Sequence, residues 1–209
     1  MSDANIALIY AHPYAEQSLA NRELLAAIDD LSFVTRRSLY DLYPDFDIDV
    51  HAEQRALASA DLIVLQHPIY WYSMPALLKL WIDDVFALGW AYGEGGTALV
   101  GKSMQWVVTT GGDFCAYTPE GPHGHRFEAF IAPVLQTARF CGMHWQEPLI
   151  IHDAHADREH VAEAGRRYRE CLLGFRKQQP VTMVGNPHKL IDSPPLSTAL
   201  ATSIATTSP

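Results

Sequence analysis

The amino-acid sequence predicts an α/β protein with a doubly wound parallel sheet. Short apolar runs typical of buried strands alternate five times along the chain with segments of helical periodicity. Turn-forming residues follow the apolar runs. Because crossovers between parallel strands are right-handed, the loops after Tyr10, Gln66 and Val108 are expected along one edge of the sheet.

The first half of the chain is expected to hold three strands and three helices. Ser18 is a suitable cap for the first helix and Ser73 for the third, where Pro75 fits the first turn. Gly89 can end the third helix, and residues 41–50 read as a loop that contains Pro and Asp. The predicted elements are strands Ile6–Tyr10, Phe33–Tyr40 and Asp61–Gln66, and helices Leu19–Ile28, His51–Ala60 and Leu77–Phe86.

The second half begins with a long glycine-rich loop at residues 89–101. Strands are predicted at Met104–Thr109 and Leu149–Ile151, and helices at Phe127–Cys141 and Glu159–Phe175. After these, Pro, Ser, Thr and Ala dominate, with little to build a core. We therefore expect one domain over residues 1–178 and an irregular tail over residues 179–209.

Composition excludes several classes of function. The formal charge of −9 argues against nucleic acid as a partner and against simple attachment to anionic lipid. No signal peptide is recognisable, and no apolar stretch reaches the roughly 20 residues that span a bilayer. Cys115, Cys141 and Cys171 are widely spaced and match no redox or metal pairing. A reduced, cytoplasmic setting is the natural interpretation.

The first loop, His12 to Asn21, lacks the glycine signatures of dinucleotide and nucleoside triphosphate sites. It nevertheless leads into a helix N-terminus, whose free N–H groups and dipole favour a phosphate. His12 can donate a further hydrogen bond. An ordinary capped connection between strand and helix remains the alternative for this loop taken alone.

The second loop, Pro68-Ile-Tyr-Trp-Tyr72, offers flat apolar surface on which a planar ring system can lie. A plug of aromatic side chains in the core is the alternative. Consecutive side chains point in different directions, so at least one aromatic ring should meet the loop edge.

The third loop runs from Thr109 to Gly124. Its two glycines after a strand allow close approach of the backbone and expose successive N–H donors, which can stabilise negative charge on a reduced heteroaromatic ring. Tyr117 and His123 are candidates for handling a proton. A plain glycine turn with a surface tyrosine and histidine is the alternative, and it loses weight once the three loops are taken together.

A group of acidic and histidine residues near the last strand suggests a metal site. Its spacing matches no zinc signature, so no metal is predicted, and Asp157 is expected to cap the last helix. The members of the group are His152, Asp153, His155, Asp157 and His160.

Several longer runs carry a resemblance to a known family. The chain resembles the flavodoxin-like NAD(P)H:quinone oxidoreductases, and within them most closely the ancillary flavoproteins of glutathione-gated potassium efflux systems. The resemblance extends from about Ile6 to Phe175. It rests on Ala11–Tyr14 with Ser18–Asn21, Tyr40–Asp49, Gln66–Pro68 with Trp71–Ser73, Leu77–Asp83, Gly89–Gly93 and Val108–Gly112.

This resemblance implies a flavodoxin-like five-stranded sheet in the order 2-1-3-4-5 that binds a flavin, with FMN preferred over FAD. Tyr117 and His123 match a tyrosine and a histidine that lie over the flavin, stabilise its reduced form and manage a proton. The implied cofactor contacts are His12, Ser18, Leu19, Ala20 and Asn21 to the phosphate, Pro68, Ile69, Tyr70 and Trp71 to the isoalloxazine ring, and Thr109, Thr110, Gly111 and Gly112 to its polar edge.

The resemblance further implies hydride transfer from NAD(P)H to flavin N5 and then to a quinone or similar electrophile, in a homodimer with its pocket at the subunit boundary. Asp113–Ala116 depart from the family pattern, which leaves substrate choice open. The alternative function is a regulatory subunit on the cytoplasmic face of a membrane potassium–proton antiporter. A one-electron flavodoxin carrier is disfavoured because a carrier needs no substrate pocket.

Overall fold

The computed structural model describes residues 4–155 and 158–177, which fold into one parallel sheet covered by helices on both faces. The strands are β1 Ile6–Tyr10, β2 Val34–Ser38, β3 Leu62–Pro68, β4 Ser103–Thr109, β5 His144–Trp145 and β6 Leu149–Ile151. The helices are α1 Leu19–Ala26, α2 Leu39–Leu42, α3 Val50–Ala58, α4 Ala76–Val85, α5 Glu128–Phe140 and α6 Arg158–Lys177.

The sheet has the predicted order, β2-β1-β3-β4-β5, and every pair is parallel. One detail differs: the fifth position is shared by two short segments, because β5 pairs with the start of β4 and β6 with its end. The order reverses direction at β1 and β3, whose registers place Tyr10 beside Gln66. In doubly wound sheets, ligands bind beyond the carboxyl ends of the strands at such a switch point.

Two apolar layers sandwich the sheet. On one face, α3, α4 and α5 pack on alternate strand residues around the fully buried Trp81 and Trp106. On the other face, α1 and α6 enclose a smaller cluster around Leu24 and Tyr168. Because both faces are covered, β1, β3 and β4 are buried along their whole length, as their apolar sequences predict.

The prediction for residues 33–50 was partly wrong. The second strand ends at Ser38 rather than Tyr40, and the expected loop begins with the one-turn helix α2. Leu39 is fully buried, and the Tyr43 amide donates to the Leu39 carbonyl at 2.8 Å. Tertiary packing of one leucine fixes this turn, and a single buried residue carries no periodicity that a sequence pattern could register.

The predicted helix Leu77–Phe86 is found as α4 to within one residue at each end, but the residues expected to begin and end it were wrong. No side chain caps its start at Pro75, since Ser73 is instead paired with Tyr70 across a tight turn. The helix ends at Val85, ahead of Gly89, which adopts φ +79° in the following turn. The strand before it continues through His67 and Pro68, two residues further than predicted, because no ladder bond needs the missing proline N–H there.

Two predictions lie outside the described residues: the cap at Asp157 and the tail over residues 179–209. None of the described helices combines the length and the apolar character that crossing a membrane requires.

Candidate functional site

The three loops singled out in the sequence meet at the carboxyl edge of the sheet. Asn21, which is fully buried at the start of α1, connects them. Its amide nitrogen donates to Ser18 Oγ at 3.1 Å and to Thr109 Oγ1 at 3.0 Å, and its oxygen accepts from Gln66 Nε2 at 3.2 Å. The Ile69 amide donates to the Thr109 carbonyl at 2.8 Å. The loops therefore form one continuous surface.

The first loop presents a helix N-terminus, as predicted. Ser18 Oγ accepts from the Asn21 amide at 3.2 Å, which is the expected cap of α1. The amides of Leu19 and Ala20 precede the capped one, and first-turn amides have no partner within their helix. Together with the helix dipole, these donors favour an anionic group in front of α1.

His12 lies at the base of the same loop and is nearly buried. Its Nδ1 accepts from the Tyr14 amide at 3.0 Å, so the ring proton of the neutral form is on Nε2. Burial lowers the pKa of His12, which keeps the imidazole neutral and Nε2–H available as a donor. Its ring centroid is 6.4 Å from that of Tyr70 in the second loop.

The second loop is a strained hairpin turn. Tyr70 and Ser73 exchange backbone hydrogen bonds of 3.0 Å, and the two residues between them, Trp71 and Tyr72, have φ of +48° and +64°. Such turns normally take Asn-Gly, because bulky residues at positive φ cost about 1–3 kcal/mol each. Trp71 is 92% exposed. An exposed indole held on strained backbone indicates a functional constraint rather than packing.

The third loop begins with two buried threonines and two glycines. Neither glycine has a positive φ; at Gly112 the packing is tight, because a Cβ there would lie 3.2 Å from Ala116 Cβ and 3.3 Å from His123 Nε2. Gly111 is exposed at the edge, and its own Cβ would meet nothing closer than 3.9 Å. The backbone at Gly111 and Gly112 thus has open access on one side only.

Tyr117 and His123 are brought together as predicted. Their ring centroids are 4.4 Å apart with a 31° interplanar angle. Tyr117 is buried at the end of a short 3₁₀ turn that Asp113 caps. Tyr72 lies across from them, with its hydroxyl 3.4 Å from His123 Nδ1, so the second loop contacts the third at this point.

Sequence reasoning missed two contributors. His152 was weighed only as part of a metal group, yet it lies 5.3 Å from Tyr117 between ring centroids. Phe130 on α5 stacks on Tyr72 at 5.1 Å and 25°. The position of His152 directly after a strand at the same sheet edge was a usable signal. Phe130 carried none, because Tyr72, on which it stacks, is distant in sequence.

Gln66 supplies an observation that points to a ligand. Its side chain is fully buried and its Oε1 has no hydrogen-bond partner, although its Nε2 is bonded to Asn21. Buried amide oxygens are nearly always paired. An acceptor left open among Asn21, Ser18 and Thr109 fits a polyhydroxylated chain that runs from the anion site toward the glycines.

A metal site does not form among residues 4–155 and 158–177. Within the suspected group, His160 Nε2 is 2.9 Å from the His152 carbonyl, so these side chains contact backbone and rings rather than converge on one point.

A groove of about 430 Å³ lies elsewhere, between α4 and α5, and is lined by Ile82, Phe86, Tyr92 and Phe140. It contains none of the three loops. The chemistry-bearing groups are concentrated at the sheet edge, and we place the candidate site there.

The fold and this loop edge define a doubly wound α/β protein of the flavodoxin-like class. The chain belongs to the family described as having a flavodoxin-like fold, whose model matches residues 4–172. It is 50% identical over 173 residues to the glutathione-regulated potassium-efflux system ancillary protein KefF of Enterobacter sp. (strain 638). That match covers 82% of this chain and 97% of the relative.

Solved structures show the same architecture under several names. A thermophilic tryptophan halogenase from Streptomycin violaceusniger is 39% identical with a TM-score of 0.77, covering 80% of this chain and 98% of that one. General stress protein 14 of Treponema denticola, in complex with FMN, is 34% identical with a TM-score of 0.78, covering 81% and 98%. An NADPH-quinone reductase of P. pentosaceus is 30% identical with a TM-score of 0.73, covering 80% and 96%.

Proposed function

We propose that this chain is an FMN-dependent NAD(P)H:quinone oxidoreductase. The observation that supports this most strongly is the network in which Asn21 joins Ser18, Thr109 and Gln66 while one buried Gln66 acceptor stays open. The FMN complex of the Treponema denticola protein and the NADPH-quinone reductase of P. pentosaceus support the cofactor and the reaction class.

The first loop would hold the phosphate of FMN. Amides of Leu19 and Ala20 point along the helix axis toward the anion, and Ser18 and Asn21 fix the turn that exposes them. The neutral His12 donates from Nε2 without adding a charge that would have to be desolvated. FAD would use the same loops, but the FMN-bound relative favours the smaller cofactor.

The second and third loops would hold the ring. Pro68 and Ile69 continue β3 to the edge, and Tyr70 and Trp71 present aromatic surface. Thr109 and Thr110 lead into Gly111 and Gly112, whose backbone amides are the donors on the polar side. These donors stabilise the negative charge that a reduced ring acquires. FMN, when bound, supplies the two-electron carrier between NAD(P)H and a quinone.

Tyr117 and His123 would act on the proton. Burial raises the pKa of Tyr117, so its hydroxyl stays protonated at neutral pH and can donate a hydrogen bond. His123 is partly exposed and contacts both Tyr117 and Tyr72, which places it where a proton can be exchanged with solvent. Nicotinamide and quinone would occupy the same face in turn.

Visible absorption of the purified protein tests this function. We expect a yellow sample that NAD(P)H bleaches without air and that a quinone recolours, with FMN bound more tightly than FAD. Variants His123→Ala and Tyr117→Phe should slow reduction while flavin stays bound. A protein that takes up neither FMN nor FAD would refute the proposal, and unchanged reduction rates in both variants would remove these two residues from it.

A second candidate function is favoured by one specific observation, the 50% identity to the potassium-efflux ancillary protein KefF over nearly the whole of that relative. In this function, a homodimer in the cytoplasm docks peripherally on a membrane potassium–proton antiporter, and redox activity is secondary. Potassium efflux from vesicles that contain such an antiporter, with and without the added protein, tests it. An unchanged efflux rate would exclude the regulatory role and leave the enzyme proposal intact.

A further inference from the structure

The backbone after β6 is fixed against the third loop. His152 is the first residue beyond the strand, and hydrogen bonds on both sides of it hold its position independently of its side chain. The imidazole of His152 therefore faces the third loop from a fixed position at the carboxyl edge of the sheet. The donor–acceptor pairs are Thr110 N to Ile151 O at 2.9 Å, Ala154 N to Thr110 O at 2.9 Å and Asp153 N to Gly112 O at 3.0 Å.

The imidazole of His152 is half-buried among aromatic rings. Its centroid lies 5.3 Å from that of Tyr117, 5.5 Å from Phe127 and 5.7 Å from Phe114, the last two edge to face. Tyr117 thus lies between two histidines, with His123 at 4.4 Å. The sequence predicted only the pair of Tyr117 and His123, and His152 is a second histidine in contact with the same tyrosine.

The hydrogen bonds of His152 define its tautomer. Thr110 Oγ1 is 3.2 Å from His152 Nδ1 and donates its own proton to the Gly112 carbonyl at 2.7 Å. A hydroxyl has one proton, and with that proton directed to the Gly112 carbonyl the Nδ1 of His152 is assigned as the donor to Thr110. Burial lowers the pKa of His152 more than Asp113 and Glu128 raise it, which keeps the ring neutral with Nε2 unprotonated.

Thr110 also connects to Tyr117. Burial raises the pKa of the Tyr117 phenol, and a hydrogen bond with the Thr110 side chain partly offsets this effect. Thr110 is 2% exposed, so no solvent competes for its hydroxyl. The Thr110 hydroxyl thus links the imidazole, at 3.2 Å, to the Gly112 carbonyl, at 2.7 Å. Gly112 in turn packs against the Tyr117 ring, since a Cβ at Gly112 would lie 3.4 Å from Tyr117 Cε2.

We propose that His152 is a positioning residue for Tyr117, because its Nδ1–H holds the Thr110 hydroxyl on the Gly112 carbonyl and so fixes the turn against which the Tyr117 ring packs. This inference rests on the proposed function, in which the Tyr117 hydroxyl serves the ring at the glycine edge. It adds a third side chain, from a different strand, to the pair formed by Tyr117 and His123.

Two substitutions at position 152 distinguish the effect of the Nδ1–H donor from the effect of side-chain volume. His152→Ala removes the donor, and we expect flavin reduction in the FMN-loaded protein to slow about tenfold to a hundredfold, the usual effect of a misplaced group. The amide nitrogen of His152→Asn stands where Nδ1 stood, so this variant should stay within about threefold of the wild type. FMN dissociation constants should change little in both. His144→Ala, on the exposed surface of β5, is the matched control.

A double substitution tests the route through Thr110. Thr110→Val removes the hydroxyl and keeps the shape, so His152→Ala in that background should cost almost nothing further. Additive effects would overturn the proposal, as would an Asn variant as slow as the Ala variant. Either result would mean that His152 acts by filling space or by touching the substrate itself.

Side-chain ¹⁵N spectra of histidine provide a readout independent of catalysis. In the flavin-free protein, His152 should show the Nδ1–H tautomer, and Thr110→Val should shift it toward Nε2–H. An Nε2–H tautomer in the wild type would overturn the inference. If the wild type binds no flavin at all, the proposed function fails, whereas these spectra still decide whether the hydrogen bond to Thr110 exists.

Discussion

Two buried polar networks in this protein differ in whether they are complete. The first surrounds Glu53 on α3, which is fully buried and accepts from Arg37 Nε at 2.6 Å, from the Tyr43 hydroxyl and from Trp81 Nε1 at 2.9 Å. Both carboxylate oxygens have partners. The charge is paired by Arg37, which also forms an ion pair with Glu53 through Nη2.

The second network joins the loops at the carboxyl edge through Asn21. Here the Gln66 amide is just as buried, but its oxygen has no partner. The comparison teaches that burial alone does not distinguish structure from function. A closed network ties β2, α3 and α4 together, whereas the one at the sheet edge contains an acceptor without a partner, which is what the proposed cofactor site would need.

The largest effect is expected from breaking the closed network. Glu53→Gln leaves the partly exposed Arg37 guanidinium without its counter-ion and sets a buried amide donor against other donors, so the free energy of unfolding should fall by about 3 kcal/mol. Urea denaturation measures this loss. The exposed ion pair of Lys79 and Asp83 is the control, since Asp83→Asn should cost less than about 0.5 kcal/mol. A small loss at Glu53 would contradict its structural role.

The buried imidazole of His67, which also has a hydrogen-bond partner, should make stability depend on pH. His67 accepts from Trp106 Nε1 at 2.7 Å and is fully buried, and desolvation lowers its pKa to about 4. The unfolded chain binds a proton near pH 6.5. This stability is therefore complete above about pH 6.5 and is lost as the pH falls toward 4, by at most about 3 kcal/mol. In denaturation experiments at several pH values, the stability of His67→Gln should not fall between pH 6.5 and 4 by this amount. If the variant shows the same dependence on pH as the wild type, another group causes it.

The open network should respond differently. Gln66→Met removes the unpaired oxygen at nearly constant shape and leaves only the Asn21 oxygen without its donor, so stability should fall by about 1 kcal/mol. FMN affinity should fall about tenfold, because the acceptor for the cofactor is gone. Fluorescence titration with FMN measures this. If Gln66→Met binds FMN as tightly as the wild type but is less stable, Gln66 has only a structural role, like the residues around Glu53.

Two helix caps provide the smallest and most closely matched test. Ser18 caps α1 at the site and Asp49 caps α3 away from it, each accepting from the amide three residues on. Replacement of either by Ala should cost about 1 kcal/mol of stability. Only Ser18→Ala should also weaken FMN binding. A comparable loss of FMN affinity in Asp49→Ala would show that binding merely follows stability.

Features that depend on residues close together in the sequence could be predicted, and features that depend on tertiary contacts could not. The strand β1, the cap at Ser18 and the pairing of loops at one edge could be predicted, because apolar runs, capping residues and crossover handedness are local rules. The one-turn helix α2 could not, since only the burial of Leu39 fixes it. The roles of Ser73 and Gly89 were misassigned, because Ser73 pairs with Tyr70 in a hairpin turn instead of capping α4, and Gly89 belongs to the turn after the helix instead of ending it.

The candidate site divides in the same way. Asn21, Thr109 and Tyr117 were found because they lie on or just after the loops that follow two strands and because the resemblance to the family assigns them to the flavin. Their partners were not, since contacts such as Gln66 to Asn21 and His152 to Thr110 join residues more than 40 positions apart.

By itself, the sequence determined the order of strands and helices and the edge at which chemistry would be concentrated, because periodicity and right-handed connection act along the chain. Only the tertiary structure decided which buried polar atoms are satisfied and which remain open, because hydrogen-bond pairing in the core depends on distances between segments that the sequence keeps apart.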